Sequence, residues 1–471
     1  IITRSASETQ GTLLSLHAGP QERGVAAARF GGTLGDAATY RIFARQVERD
    51  NNRLADGNAS SDALDQKRLG FRLDLSPSSL STATIQGESY QSDSRETVDM
   101  LSVDAPYRFR SHEEQRAEGY HLLARWNQTL ANSDQLTLQT WYEWEDRDWF
   151  LSDINQDSAD FYVDYRSTRL TGHDLLGGLG YRIIDSNIAT SERVTASPPP
   201  FEEEVINIFL QDEITLVPQK WFLTVGSKFE LNDFTGWEVQ PNLRLLWTPD
   251  ERYSFWAAVS QAVRTPARAD RNYRFLFDAR QPANSTLPIF TYANAGMDFH
   301  SETLVAWEGG LKARPLTELS VEATAFYNDY RDLRSLQLQP PVCEPSGRAF
   351  PNCIGNAGDT HLTVDLIQTN DFASTTWGAE VNVDWRPTPR WHLQAFYSHL
   401  ETDTSTAGTG QDVGILMKDP THQASLRLSY DPLPEVQLDM WLRYVSELTA
   451  IDGNEIDGYT TSDLRVAWHP H

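Results

Sequence analysis

The run Val436-Gln437-Leu438-Asp439-Met440-Trp441-Leu442-Arg443-Tyr444 sets the architecture. Val436, Leu438, Met440, Leu442 and Tyr444 recur at every second position, with Gln437, Asp439 and Arg443 between them. A period of two gathers the apolar set on one face of a strand. Wound as a helix, the same residues would scatter around its surface. Leu426, Leu428 and Tyr430 repeat the pattern against Ser425, Arg427 and Ser429. Further upstream, Leu319, Val321, Ala323, Ala325 and Tyr327 alternate with Ser320, Glu322 and Thr324. The same alternation marks 243–247, 253–259, 381–385 and 464–468.

Short turn signals join these segments in pairs. They are Gly35-Asp36, Ser76-Pro77-Ser78, Asn132-Ser133-Asp134, Gly172-His173, Pro218-Gln219, Thr248-Pro249-Asp250, Pro315-Leu316-Thr317, Pro387-Thr388-Pro389 and Pro432-Leu433-Pro434. Each predicts a hairpin. Between hairpins lie polar connections, mostly long, near 48–64, 92–117, 148–158, 186–203, 262–300, 331–371 and 401–420, with shorter ones near 20–23, 231–237 and 447–457. Short turns at one end and long loops at the other are the signature of an outer-membrane barrel, here an up-and-down antiparallel meander of about twenty strands. A propeller or a tandem of sandwiches would need a repeating blade or balanced loops, and neither is present. Spanning takes about 9–11 residues. Longer strands such as 320–333 should therefore project beyond the bilayer.

Composition agrees. Of 471 residues, 40 are Lys or Arg and 66 are Asp or Glu, a net charge of −26 that excludes binding nucleic acid through a broad basic face. The apolar fraction of 39% is low for a soluble chain of this length, yet 11% aromatics, with 14 Trp and 17 Tyr, is too rich for disorder. No apolar run reaches the length of a membrane-spanning helix, which leaves an alternating barrel allowed. Trp221, Phe222, Trp247, Tyr253, Phe255, Trp256, Trp385, Trp391 and Trp468 cluster beside short turns. They read as an interface belt, with packing between hairpin neighbours as the alternative. The opening IITRSASETQ carries no secretory signal, and both termini read as cuts. Cys343 and Cys353, with nine residues between them, read as a local disulfide at the tip of the 331–371 loop, or else as two free thiols.

At this point the sequence resembles TonB-dependent outer-membrane receptors of the iron-complex type. Ile1-Ile2-Thr3-Arg4-Ser5 with Thr9-Gln10-Gly11 resembles the exit from that family's plug into its first strand. The stretch from Asn242 to Pro249, then Tyr253 to Ser260 with Arg264-Thr265-Pro266, is similar to its mid-barrel hairpin. Ser301-Glu302-Thr303 with Trp307 to Lys312, the run Ala325 to Leu333, and Gly458-Tyr459 with Asp463-Leu464 resemble later strands. The resemblance implies a 22-stranded barrel in the bacterial outer membrane. Residues 1–10 would be the plug end and plug–barrel junction, and 11–471 the barrel without its last hairpin. It implies an absent plug, a TonB partner acting through the N-terminal region missing here, and contact with outer-membrane lipid. It also implies a cargo such as a ferric siderophore, with cobalamin, heme or oligosaccharide as alternatives. No cofactor of its own follows, since iron would arrive inside its chelate. A passive porin is the reading without the resemblance.

No enzyme motif stands out: Gly-x-Ser-x-Gly, His-Glu-x-x-His and phosphate-binding glycine loops are missing. His17, His392 and His399 sit in strand patterns and are expected in the lumen. The ligand candidates lie in 262–300, where Arg264, Arg268, Arg271, Arg274 and Arg280 interleave with Tyr273, Phe275 and Phe277. Guanidinium forks suit chelate oxygens and aromatic faces suit their rings. Tyr107, Arg108, Phe109 and Arg110 form a second group, and Trp149 with Phe150 a third. All three are expected to converge over the lumen mouth. No metal site is expected. Asp50, Asp56, Asp62 and Asp65 in one loop, and Asp452, Asn454 and Asp457 in another, offer calcium-like oxygens without the spacing of a known loop, and read as solvated loop tips.

Overall fold

The computed structural model describes residues 3–19, 22–54, 57–283, 285, 287–352, 358–406, 419–449 and 455–469. Twenty strands make one continuous wall: Gly11–His17, Glu22–Leu34, Ala38–Arg49, Leu64–Ser78, Ser81–Leu101, Arg108–Thr129, Gln135–Asp148, Asp153–Ser167, His173–Ile188, Pro200–Val217, Trp221–Asn232, Gly236–Asp250, Tyr253–Arg264, Glu302–Leu316, Leu319–Leu338, His361–Thr388, Trp391–Thr406, His422–Leu433, Val436–Val445 and Tyr459–Trp468. Each pairs antiparallel with the next, as the meander requires. Among the described residues, Gly11–His17 and Tyr459–Trp468 each have one paired neighbour, and nearly all their side chains are exposed. They are the two strands expected to flank the seam.

Register sorts the faces. Phe30, Ile42 and Phe71 stand opposite one another on three consecutive strands, and all are exposed. With backbone groups paired along the wall, such apolar side chains are what a lipid-facing surface needs. The intervening positions are mostly polar and line the bore. Several bore aromatics lie flat over a neighbouring glycine. A Cβ at Gly310 would stand 2.6 Å from Trp256 Nε1, and one at Gly378 would stand 2.7 Å from Phe326 Cζ. Trp256 therefore faces the bore, which corrects its assignment to the interface belt. His399 is also corrected: its ring packs 5.2 Å from Trp377, itself half exposed on the outer face.

The short turns fall about two residues later than the prolines suggest. Residues 79–80, 251–252, 317–318, 389–390 and 434–435 turn, while Pro77, Pro249, Pro315, Pro387 and Pro432 sit in register shifts just before them. A bulge already breaks the ladder, so a residue without an N–H fits there. The residue before each of these prolines donates its N–H across to the preceding hairpin. Ser76 bonds Ala37 O, Thr248 bonds Lys220 O, Arg314 bonds Arg252 O, Arg386 bonds Glu318 O and Asp431 bonds Arg390 O, at 2.7–2.9 Å. Thr129 to Leu80 O, Thr215 to Gly172 O and His469 to Glu435 O extend the series. Between the hairpins at 130–134 and 168–172 the Asp134 carboxylate makes the link, accepting from Tyr165 Oη, Ser167 Oγ and Arg169. Stacked pairs Trp221–Trp247 (5.4 Å), Trp247–Phe255 (5.1 Å) and Trp391–Tyr430 (4.1 Å) lie just above the same rim. Cross-strand packing is what these contacts show, because register places the rings side by side.

Candidate functional site

The long loops are not plain coil. Val194–Ala196 pairs antiparallel with residues 273–275, and Ile289–Asn294 pairs in parallel with residues 362–367. Tyr273–Arg280 and Ile289–Asn294 form a hairpin whose inner side packs Leu276, Ala279 and Phe290 against Leu101, Val103, Tyr107 and Tyr292. Buried Cys343 and Leu362 pack against Leu287 and Ile289 beside it. These contacts assemble a canopy on the long-loop end of the bore.

The canopy brings the three candidate groups into one assembly. Tyr107 meets Phe290 at 5.9 Å, and Arg108 pairs with Asp278 at 3.1 Å. Trp149 and Phe150 pack edge to face at 4.9 Å, and their turn is tied to the segment 189–196 by Ser191 Oγ donating to Leu151 O at 3.0 Å. Arg193 Nε donates to Leu101 O at 2.9 Å, and Arg193 O accepts from Leu276 N at 2.8 Å. No sequence signal marks Arg193 as this clasp, because both partners lie far along the chain and no local period points to them.

The five expected arginines do different jobs, and Arg280 pairs with Asp278 at 3.5 Å. Arg268 is buried. Its guanidinium donates to Ser186 O (2.8 Å), Ser186 Oγ (2.6 Å), Pro198 O (2.7 Å) and Pro199 O, over the rings of Phe201 and Tyr273. It holds loop to loop, with its guanidinium committed to these carbonyls. The same burial pushes the Tyr273 phenol up. Arg264 pairs with Asp270 (3.2 Å) and Glu302 (3.0 Å), and Arg271 donates to Phe299 O. Arg274 is exposed, lying 3.6 Å over the Tyr292 ring and 3.7 Å from Asp365. Phe275 is half-buried 5.4 Å from Tyr273, whereas Phe277 is exposed. Phe109 is exposed, and Arg110 pairs with Asp99 at 3.2 Å.

Cys343 is fully buried and disulfide-bonded, and Cys353 lies outside the described residues. The Cys343–Cys353 pairing is tested by non-reducing mass spectrometry of protein from the envelope. One linked peptide pair is expected, and two alkylated thiols would reject it. Reduction should loosen the local loop by about 2–3 kcal/mol and leave the wall intact. In the acidic loop, Asp62 accepts from Ser60 Oγ and from Asn52 N at 2.7 Å; the Ser60 hydroxyl, with these backbone donors, holds its carboxyl below the usual range. Among the described residues no three His, Cys, Asp or Glu side chains gather as metal ligands; Asp56, Asp452 and Asn454 lie outside them.

At the other end, residues 3–10 rest against the bore wall. A short turn of helix, Ala6–Thr9, is held by Ala6 N and Ser5 Oγ donating to Asp74 at 2.7 and 3.3 Å. Arg72 grips Asp74 at 2.8 Å, and Arg41 donates to Arg4 O at 2.8 Å. A Cβ on Gly31 would stand 2.3 Å from Thr9 O, so only glycine lets this segment lie so close. No helix of the described residues is long and apolar enough to cross a membrane.

A comparison with curated protein sequences finds no match. Solved structures share the fold at low identity. The siderophore receptor PirA from Acinetobacter baumannii superposes with a TM-score of 0.74 at 12% identity, over 98% of this chain and 74% of that one. A mutant of the ferric enterobactin receptor PfeA from Pseudomonas aeruginosa gives 0.70 at 14%, over 96% and 71%. The FrpB iron transporter from Neisseria meningitidis gives 0.68 at 11%, over 95% and 72%. The family model for the TonB dependent receptor-like β-barrel matches residues 12–471, so this chain belongs to the TonB-dependent receptor β-barrel family.

Proposed function

We propose that this chain is the barrel of an outer-membrane active transporter that captures a ferric siderophore at its long-loop end. The observation that carries the reading is the canopy, where exposed Arg274, Phe277 and Phe109 stand on a packed, clasped base over a polar bore. Rigid placement of guanidinium and aromatic groups is what recognition of a bulky anionic chelate needs. The solved structures of like fold include receptors named for siderophores and enterobactin, which agrees with this choice of cargo. On this reading the protein makes and breaks no bonds, needs no cofactor of its own, and receives iron inside the chelate. Its partners are outer-membrane lipid and TonB. Cobalamin, heme or oligosaccharide receptors would use the same wall with other loops.

The test is equilibrium binding of a ferric tris-catecholate to the full-length receptor. Arg274→Ala should weaken it by roughly ten- to a hundredfold, the worth of one charge-assisted hydrogen bond of about 1.5–3 kcal/mol. Heat-modifiable gel mobility should not change, because Arg274 stands outside the wall. Unchanged affinity removes Arg274 from the site. Binding of cobalamin, heme or a sugar with no ferric chelate bound overturns the iron reading.

A further inference from the structure

At the end of the strand Ser81–Leu101, residues 95–101 pair with 108–114 of Arg108–Thr129 and, among the described residues, with no third strand. The wall on one side last pairs at Leu64 with Ser94, and on the other at Asp148 with Arg116. The two strands therefore leave the wall as a ribbon about 23 Å long, at roughly 3.3 Å per residue. A lone two-stranded ribbon is marginally stable in water, so what the tip touches decides where it lies. Exposed Phe109 stands on this ribbon, whereas exposed Arg274 and Phe277 stand on the canopy hairpin. The candidate ligand groups are thus divided between two elements that, among the described residues, no ladder joins.

The contacts between ribbon and hairpin differ in what they fix. Leu101, Val103 and Tyr107 pack on Leu276, Ala279 and Phe290, but apolar burial has no preferred direction. Arg108 reaches Asp278 at 3.1 Å from a side chain 61% exposed, and exposed ion pairs hold little. Arg193 is placed differently. Its carbonyl accepts from Leu276 N on the hairpin at 2.8 Å, and Val194 beside it is buried in register with Phe275. Its side chain, 21% exposed, donates from Nε to Leu101 O on the ribbon at 2.9 Å. A charged donor on a carbonyl is directional, and stronger than a neutral one. One residue thus belongs to the hairpin by its backbone and to the ribbon by its guanidinium. We propose that Arg193 is the positioning residue of the ligand site: it sets ribbon against hairpin so that Phe109 on one, and Arg274 with Phe277 on the other, meet the same chelate. The proposal rests on the import reading above and deepens it, by dividing the site between two elements and naming the group that aligns them.

Two measurements separate this proposal from the import reading. The first uses no ligand. The full-length receptor carries nitroxide labels at Asp104→Cys on the ribbon tip and at Gln281→Cys just past the hairpin strand Tyr273–Arg280, and pulsed electron resonance reads the distance between them. Arg193→Ala should widen the distance distribution about twofold, and Arg193→Lys should narrow it again, because an ammonium also donates to a carbonyl. Heat-modifiable gel mobility should match wild type throughout, since residue 193 lies outside the wall strands. Equal widths with Arg193 and with Ala in its place overturn the proposal whatever the cargo proves to be. In the second, the full-length receptor binds ferric tris-catecholate. Phe109→Ala should weaken binding about fivefold, and Arg193→Ala about tenfold. In the Arg193→Ala background Phe109→Ala should cost nothing more, while Arg274→Ala should keep its cost. A full Phe109 cost in that background overturns the proposal. Loss of both costs also overturns it, and makes Arg193 a general prop of the canopy. If wild type binds no ferric chelate, the import reading fails, and the distance result still judges Arg193.

Discussion

Arg268→Ala will unfasten the canopy and leave the wall standing. The guanidinium bridges Ser186 on one wall strand to Pro198 and Pro199 in the next loop, from a buried position over two aromatic rings. Truncation leaves four acceptors to find water inside a packed loop. Hydrogen bonds to charged groups are worth about 1.5–3 kcal/mol each, so the loss should be about 3 kcal/mol or more, all of it local. Limited proteolysis should open cleavage within 189–300, and ligand affinity should fall by roughly a hundredfold or more with the canopy. Gel mobility before and after heating should match wild type. Arg268→Lys should behave like the alanine variant, since one ammonium cannot fork across both loops. A protease-resistant Arg268→Ala protein with normal binding would mean that the canopy does not depend on this clasp.

The second large effect is expected at Asp134. Its side chain is 1% exposed and accepts from Arg169 (2.7 Å), Ser167 Oγ (2.9 Å), Asn132 Nδ2 (2.9 Å) and Tyr165 Oη. Removing this carboxylate leaves four donors without their shared acceptor. Asp134→Ala should lower the temperature at which the barrel loses its compact gel mobility. Tyr165→Phe, which removes one donor, should lower it less. An alanine variant as heat-stable as wild type would show that the neighbouring hairpins hold the rim without this carboxylate.

The wall is legible in the sequence because period two survives in single stretches such as 436–444, and because turns and loops differ so much in length. The turns are displaced where a proline marks a bulge and the chain reverses two residues later, as at Pro249 and Pro432. The canopy strands leave no such mark. Val194–Ala196 is three residues long and finds its partner far along the chain, so neither length nor period betrays it. The candidate site is legible as a region and blurred within it. Arg268 and Arg274 are the same residue type in one loop, and only the fold decides that the first is buried on backbone carbonyls while the second faces water. Trp256 misleads for a similar reason. One position along the strand from Phe255, it swaps lipid for bore, and its flat seat on Gly310 is a contact across strands.

The hydrogen bonds that run from hairpin to hairpin along the short-turn rim also decide where the molecule tolerates added sequence. In each of the eight backbone links the accepting carbonyl belongs to the residue just before its hairpin's second strand, as Arg390 precedes Trp391 and Glu435 precedes Val436. Lengthening a turn would carry that carbonyl away from its donor. The fault would then sit between two hairpins that are themselves unaltered. An epitope tag spliced in at Pro434, between Leu433 and Glu435, should therefore disturb assembly far more than the same tag at a long-loop tip away from the clasps described above.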